Sequence, residues 1–69
     1  MRTWKRNGYE VVEIEFDGDL HEFEVIKDDE VIATITPDSI EDMESIIADL
    51  DAGKGVNGWE DGNGNTISI

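Results

Sequence analysis

The residues that could do chemistry in this sequence are its carboxylates and one histidine, because the chain has no cysteine. To act in a nucleophile–base pair, His21 would need a serine or threonine partner that no recognisable motif supplies. Its position shortly before Phe23 in a predicted strand is typical of a packed histidine. We therefore expect a protein that is not an enzyme, with no catalytic residue and no cofactor.

An oxygen-rich segment near the C-terminus could bind calcium. Asp61-Gly62-Asn63-Gly64-Asn65 matches the first half of a calcium loop, in which oxygen ligands alternate along the chain. The match stops there, because Thr66 occupies the sixth position, which needs glycine, and no glutamate follows at the twelfth. The segment favours a tight turn, so we predict no metal site; a calcium-dependent module is the alternative.

The remaining chemistry is that of negative charge. Eighteen acidic and five basic residues give a formal net charge of −13, and Arg2, Lys5 and Arg6 precede the first acidic residue. Such a surface repels phosphate backbones and anionic membranes, so we expect neither nucleic acid nor a membrane as a direct partner. The expected partner is a protein with a basic surface, in particular one that binds nucleic acid.

The apolar residues bear on folding and location. Leu, Ile, Val and Phe supply 18 of the 69 residues, mostly β-branched, and this share exceeds the roughly 20% below which highly charged chains stay disordered. No apolar run approaches the 18 or so residues of a membrane span. Glycine and acidic residues follow the basic start where a signal peptide would be apolar. These features predict a folded, cytoplasmic protein.

Two turn signals predict consecutive hairpins. Asn7-Gly8 favours a two-residue turn that pairs residues 2–6 with 9–13. Asp17-Gly18 predicts a second hairpin, in which Val12 lies opposite Phe23. On the two strands that flank this turn, residues alternate between the two faces of the sheet. This alternation predicts acidic side chains outward at Glu13, Glu15, Glu22 and Glu24, and inward side chains at Val12, Ile14, Phe16, His21, Phe23 and Val25.

A helix is predicted after the last strand. Thr36 can cap it, Pro37 suits the first helical position, and Gly53 is a typical residue just beyond the end. Asp38 with Glu41 is an alternative start. The apolar side chains fall on one stripe that must pack against the sheet: Ile40, Met43, Ile46, Ile47 and Leu50.

Together these elements predict one domain over residues 1–69 with an α+β fold. It is a small two-layer domain in which an antiparallel β-meander of about four strands carries one packed helix and a C-terminal hairpin or strand. The expected strands are about 2–6, 9–16, 20–27 and 31–36, the helix is about 37–52, and the C-terminal hairpin is about 57–69.

An acidic binding face is the first candidate site. It comprises Asp38, Glu41, Asp42 and Asp49 on the helix and Glu13, Glu15, Glu22 and Glu24 on the strands. Neighbouring carboxylates in such rows lie about 5–7 Å apart and resemble the regular charge of a nucleic-acid backbone. The alternatives are an acidic surface that only provides solubility, or adaptation to high salt.

The outer face of the first hairpin is the second candidate. It would carry a possible interface patch of Arg2, Trp4, Arg6, Tyr9 and Val11, and arginine with aromatic residues is typical of interface hot spots. Local cross-strand packing is the simpler interpretation. The alternative function is that of a small structural or assembly protein that acts through the Trp4 and Tyr9 patch, for which a homo-oligomer such as a homodimer is one form.

In size, charge and compact α+β plan, the chain looks like small inhibitor proteins of bacterial viruses, including anti-CRISPR and DNA-mimic inhibitors of nucleic-acid enzymes. This resemblance is one of kind and includes no sequence motif. It implies a non-enzymatic acidic binding protein that occupies the basic surface of a nucleic-acid-handling protein.

Overall fold

The computed structural model covers residues 1–69 and contains four antiparallel strands and one helix. The strands follow each other in the sheet in the order β1-β2-β3-β4, which confirms the predicted antiparallel meander with one helix. No helix of the structure is long and apolar enough to cross a membrane. The elements are β1 (Thr3–Arg6), β2 (Tyr9–Asp17), β3 (Leu20–Lys27), β4 (Glu30–Ile35) and α1 (Ile40–Asp51).

The first hairpin has the register expected from its Asn7-Gly8 turn. Arg6 pairs with Tyr9 and Trp4 pairs with Val11. Trp4 and Val11 are both buried in the core, so strand β2 must alternate from that point and turn Glu13 inward as well. The prediction of inward Val12 and Ile14 is therefore wrong: both are half-buried side chains on the opposite face of the sheet.

The second hairpin differs from expectation because it contains an extra residue. Asp17 pairs with Leu20, and a β-bulge between Glu15 and Asp17 shifts the register. As a result Phe23 lies opposite Glu13, one residue further along β2 than predicted. Phe16, at the bulge, is 51% exposed and does not join the core, contrary to its expected inward position.

Helix α1 begins later than the Pro37 signal suggests, because a serine caps it. The backbone of Ser39 is extended, and its Oγ accepts a hydrogen bond from the backbone N–H of Asp42 at 3.1 Å. Thr36 therefore does not cap the helix. At the other end Ala52 is the C-cap residue. Gly53 follows with φ +90°, as expected for a residue just beyond a helix.

The C-terminal segment completes the core without forming a strand. Val56 and Ile67 are buried together with side chains of the sheet and of α1. The segment forms one isolated bridge, between Glu60 and Thr66, so the predicted C-terminal hairpin or strand is not confirmed. The core consists of Trp4, Val11, Phe23, Val25, Ile35, Leu50, Val56 and Ile67.

The C-terminal segment meets the outer edge of β4 at one point. The backbone N–H of Gly62 donates to the Thr34 carbonyl at 2.8 Å. A Cβ at position 62 would lie 2.5 Å from Thr36 Oγ1, so only glycine allows this close approach. Further along the strand, Val31 and Ile32 remain 48% and 41% exposed.

Candidate functional site

The start of α1 lies beside the start of β3. Thr36 Oγ1 donates a hydrogen bond to Glu22 Oε2 at 2.7 Å, and the His21 backbone N–H lies 3.3 Å from Met43 Sδ. These contacts bring the N-terminal turn of the helix to the end of the sheet that carries the β2–β3 hairpin. Two acidic segments that are distant in sequence therefore share one end of the molecule.

This acidic end carries six exposed carboxylates. The basic residues are found elsewhere: neither residues 7–26 nor residues 28–53 contain a lysine or arginine. Lys5, Arg6, Lys27 and Lys54 lie at the opposite end, where the other two strand turns are. The acidic end consists of Glu15, Asp17 and Asp19 from the hairpin and Asp38, Glu41 and Asp42 from the helix start.

The eight predicted face residues do not form one face. Asp38, Glu41, Asp42 and Glu15 are exposed and belong to the acidic end. Glu22 and Glu24 are half-buried on the open face of the sheet, opposite Ile14 and Val12. Asp49 is half-buried further along the helix, and its Oδ1 lies 3.3 Å from Lys54 Nζ.

The prediction that Glu13 points outward is wrong. Its side chain is only 6% exposed and points toward the helix side of the sheet. The backbone N–H of Arg2 donates to its Oε1 at 3.1 Å, and His21 Nδ1 donates to its Oε2 at 2.7 Å. Burial alone would raise the pKa of Glu13, but the hydrogen bonds from His21 and Arg2 and their positive charges outweigh burial. The pKa is held below its ordinary value of 4.5.

The predicted hairpin patch is not a surface patch. Trp4 and Val11 are core residues, and Trp4 Nε1 donates to Asp51 Oδ1 at 2.8 Å. The Tyr9 hydroxyl accepts from the backbone N–H of Val56 at 3.1 Å. The prediction of an outward patch is wrong because the register of β2 turns this face toward α1 and the C-terminal segment.

The two arginines of that patch also contact the helix end. Arg6 donates from Nη2 to the Leu50 carbonyl at 2.6 Å and from Nε to the Lys54 carbonyl at 3.0 Å. Arg6 thereby ties the first hairpin to the last turn of α1, where the Leu50 carbonyl also accepts from the backbone N–H of Gly53 at 3.1 Å. Arg2 remains exposed, and its Nη1 lies 3.5 Å from Asp51 Oδ2.

The calcium-like segment forms a tight turn around its first residue. Asp61 Oδ1 accepts hydrogen bonds from the backbone N–H groups of Asn63 and Asn65, each at 2.9 Å. No group of three or more His, Cys, Asp or Glu side chains lies close enough together to hold a metal ion.

Two surface cavities remain, one at each end of the molecule. The cavity near the β1–β2 turn has a volume of about 310 Å³ and includes its own cations, Lys5 and Arg6, together with acidic residues. The other, of about 440 Å³, lies between the start of α1, the end of β4 and the C-terminal segment, and it includes Trp59. Trp59 lies within the predicted C-terminal hairpin at about 57–69, and no sequence motif marks it as part of a site.

Comparisons with protein families, with curated proteins and with solved structures found no match to this chain.

Proposed function

We propose that this chain is a non-enzymatic cytoplasmic binding protein that occupies the basic surface of a nucleic-acid-handling protein, in the manner of a DNA-mimic or anti-CRISPR-like phage inhibitor. The observation that carries the proposal is the acidic end. Its six exposed carboxylates are separated from four of the five basic side chains by the length of the sheet. A charge distribution of this kind orients the molecule as it approaches a positive groove.

The local roles of the acidic side chains support the choice of this end. Three carboxylates outside the acidic end serve the fold: Glu13 bonds to His21, Asp49 pairs with Lys54, and Asp51 accepts from Trp4. At the acidic end, Glu15, Asp17 and Glu41 are exposed and form none of the ion pairs of the chain. Their charge destabilises the fold through repulsion, so a binding function gives a reason for their concentration there.

The test removes charge from the acidic end without touching the fold. In the acidic-end variant, Glu15→Gln, Asp17→Asn and Glu41→Gln replace three exposed carboxylates with amides of similar shape. Asp42 and Asp49 are left intact, because Asp42 accepts from the Asp38 backbone at the helix start and Asp49 pairs with Lys54.

A matched control removes the same charge at the other end. Asp28→Asn, Asp29→Asn and Glu30→Gln change exposed residues of the β3–β4 turn. Asp28 and Asp29 have φ values of 54° and 64°, a conformation that asparagine tolerates well. Both variants lose three negative charges, so their nonspecific electrostatics match.

Affinity capture from bacterial lysate with C-terminally tagged protein distinguishes the two ends. We expect the parent chain to retain a nucleic-acid-binding protein at low salt, about 0.05 M, and to release it on addition of duplex DNA or about 0.5 M salt. The acidic-end variant should bind about tenfold more weakly, since an exposed ion pair contributes up to about 1 kcal/mol. The control should bind nearly as the parent does.

Three outcomes contradict the proposal. One is equal weakening by the acidic-end variant and the control, which would reduce the effect to net charge. Another is a captured protein that duplex DNA and single-stranded RNA both fail to displace. The third is capture of further copies of this chain alone, which would favour assembly.

A further inference from the structure

The larger cavity, which we call the Trp59 cavity, combines apolar walls with an acidic rim. Its apolar lining comes from Ile35 at the end of β4, Ile46 on α1 and Trp59 in the C-terminal segment. Its volume of about 440 Å³ lies within the range of small-ligand pockets, about 300–1,000 Å³. A wall that includes an indole ring offers a flat surface on which a planar cation can stack.

The cavity wall formed by the C-terminal segment is held in place by backbone contacts. Gly62 donates to the Thr34 carbonyl and lies too close to Thr36 to carry a side chain. Asp61 Oδ1 is bonded to two backbone N–H groups of the following turn. The cavity is therefore formed before any ligand enters, which lowers the entropy cost of binding.

The charge of the rim fixes the sign of the ligand. Four carboxylates line the cavity, Asp38, Asp42, Glu60 and Asp61, and no lysine or arginine does. None of the four takes part in the ion pairs of the chain, which involve Asp51, Glu13 and Asp49. Low-dielectric walls concentrate the field of such unpaired charges, so the cavity attracts a cation.

The spacing of the carboxylates indicates the size of that cation. They all line the cavity, and no three of them lie close enough together to hold one metal ion. A ligand that meets more than one of them and also contacts Trp59 is larger than a single metal ion, and an organic cation fits this description. Among protein side chains, arginine has both properties, because its guanidinium is planar, stacks on aromatic faces and forms hydrogen bonds in several directions.

We infer that the Trp59 cavity receives one arginine side chain from the basic surface of the partner protein. This inference rests on the proposed function and adds the feature that the partner presents to the acidic end. Asp38 and Asp42 belong to both the acidic end and the rim of the cavity, so the two regions are continuous.

A small probe tests the cavity without the partner. N-acetyl-arginine amide is titrated into the full chain at low salt, and the indole N–H signals of Trp4 and Trp59 are followed by NMR. We expect millimolar binding that shifts the Trp59 signal and the Gly62 amide but leaves the buried Trp4 signal unchanged. N-acetyl-citrulline amide has the same shape without the charge and should bind at least about tenfold more weakly.

Variants locate the binding site. Asp38→Asn with Glu60→Gln changes two exposed rim residues and should weaken probe binding about tenfold, whereas Asp28→Asn with Asp29→Asn at the far end should leave it nearly unchanged. Trp59→Leu should also weaken it, but this half-buried residue is needed in the fold, so the rim variant is decisive if Trp59→Leu unfolds.

The inference is overturned if the citrulline probe binds as well as the arginine probe, or if Trp59 and Gly62 do not respond. It is also overturned if N-acetyl-lysine amide binds as tightly, since a compact point charge would then suffice. These failures leave the proposed function standing, because its test uses Glu15, Asp17 and Glu41, which lie outside the cavity. The reverse result is also distinguishable. If the parent chain captures no nucleic-acid-binding protein but still binds the arginine probe, the proposed function fails although the cavity binds arginine.

Discussion

Glu13 is the only acidic residue of the chain that is buried. Strand alternation alone assigns it to an outward row with Glu15. Which face of a strand is buried, however, depends on the side chains of the strand paired with it. Trp4 is opposite Val11 in the first hairpin, and burying that pair turns Glu13 inward. The pairing was predictable from the sequence, whereas the choice of face required knowing that Trp4 belongs to the core.

Replacement of Glu13 by glutamine should destabilise the protein in a pH-dependent manner. Its pKa in the folded state lies below the ordinary 4.5, so its ionised form stabilises the fold above about that pH. This stabilisation is lost as pH falls through the lower, folded-state pKa. At pH 7, Glu13→Gln should reduce the free energy of unfolding by about 1–3 kcal/mol, the range for a hydrogen-bonded buried charge.

Urea denaturation between pH 7 and pH 3 measures this difference. The gap between parent and variant should be present above pH 4.5 and should narrow as the pH falls below it. Glu15→Gln, at an exposed site in the same strand, is the control and should show little gap at any pH. A gap for Glu13→Gln that stays constant to pH 3 would contradict the assignment.

Among the elements, helix α1 shows how a local signal can be displaced by a neighbouring one. The Thr36-Pro37 sequence favours a start at residue 37, but Ser39 caps the helix from an extended backbone conformation three residues before Asp42. Gly53 marks the end as expected. The amphipathic stripe was predictable, although only Leu50 is fully buried and Ile40 is 46% exposed.

The cap makes a prediction with a built-in control. Ser39→Ala removes the hydroxyl that accepts from the Asp42 backbone and should reduce the free energy of unfolding by about 1 kcal/mol. Ser45→Ala lies on the exposed side of the same helix and should be neutral or stabilising by a few tenths of a kcal/mol, because alanine is the better helix former. Chemical denaturation of both variants distinguishes these effects, and equal changes would exclude Ser39 as the cap.

The structures of the second hairpin and of the C-terminal segment could not be predicted from local sequence patterns. The bulge at Phe16 adds a residue that no turn dipeptide announces, and it shifts the register that Asp17-Gly18 suggests. The glycine-rich end was expected to form a hairpin or to add a strand. It instead packs Val56 and Ile67 into the core and forms the wall with Trp59, which depends on tertiary contacts that local patterns do not encode.

For the whole molecule, the net charge of −13 affects stability as well as binding. Self-repulsion opposes the compact state, and salt reduces it as the Debye length falls from about 30 Å at 0.01 M to about 3 Å at 1 M. Of the candidate site, the sequence predicted the kind of charge and four of the six residues. The grouping of the hairpin with the helix start came from the fold.

The melting temperature should therefore rise with sodium chloride between 0.01 M and 1 M. A gain of about 1 kcal/mol corresponds to a rise of about 4–8 °C in a domain of this size. A variant that combines the acidic-end and control substitutions loses six negative charges and should show a smaller rise. Differential scanning calorimetry measures both, and equal rises would indicate a general salt effect instead of screening.

The exposed edge of β4 gives this charge another consequence. Val31 and Ile32 lie on an edge strand that the C-terminal segment contacts only near Thr34. Such an edge is a template for strands from other copies, and here the adjoining Asp28, Asp29 and Glu30 keep those copies apart by repulsion. Near the isoelectric point of about 4.1 the net repulsion is smallest, and we expect the same edge to favour aggregation through strand pairing. Colloidal dispersion of this protein thus depends on ionised carboxylates as well as on its fold.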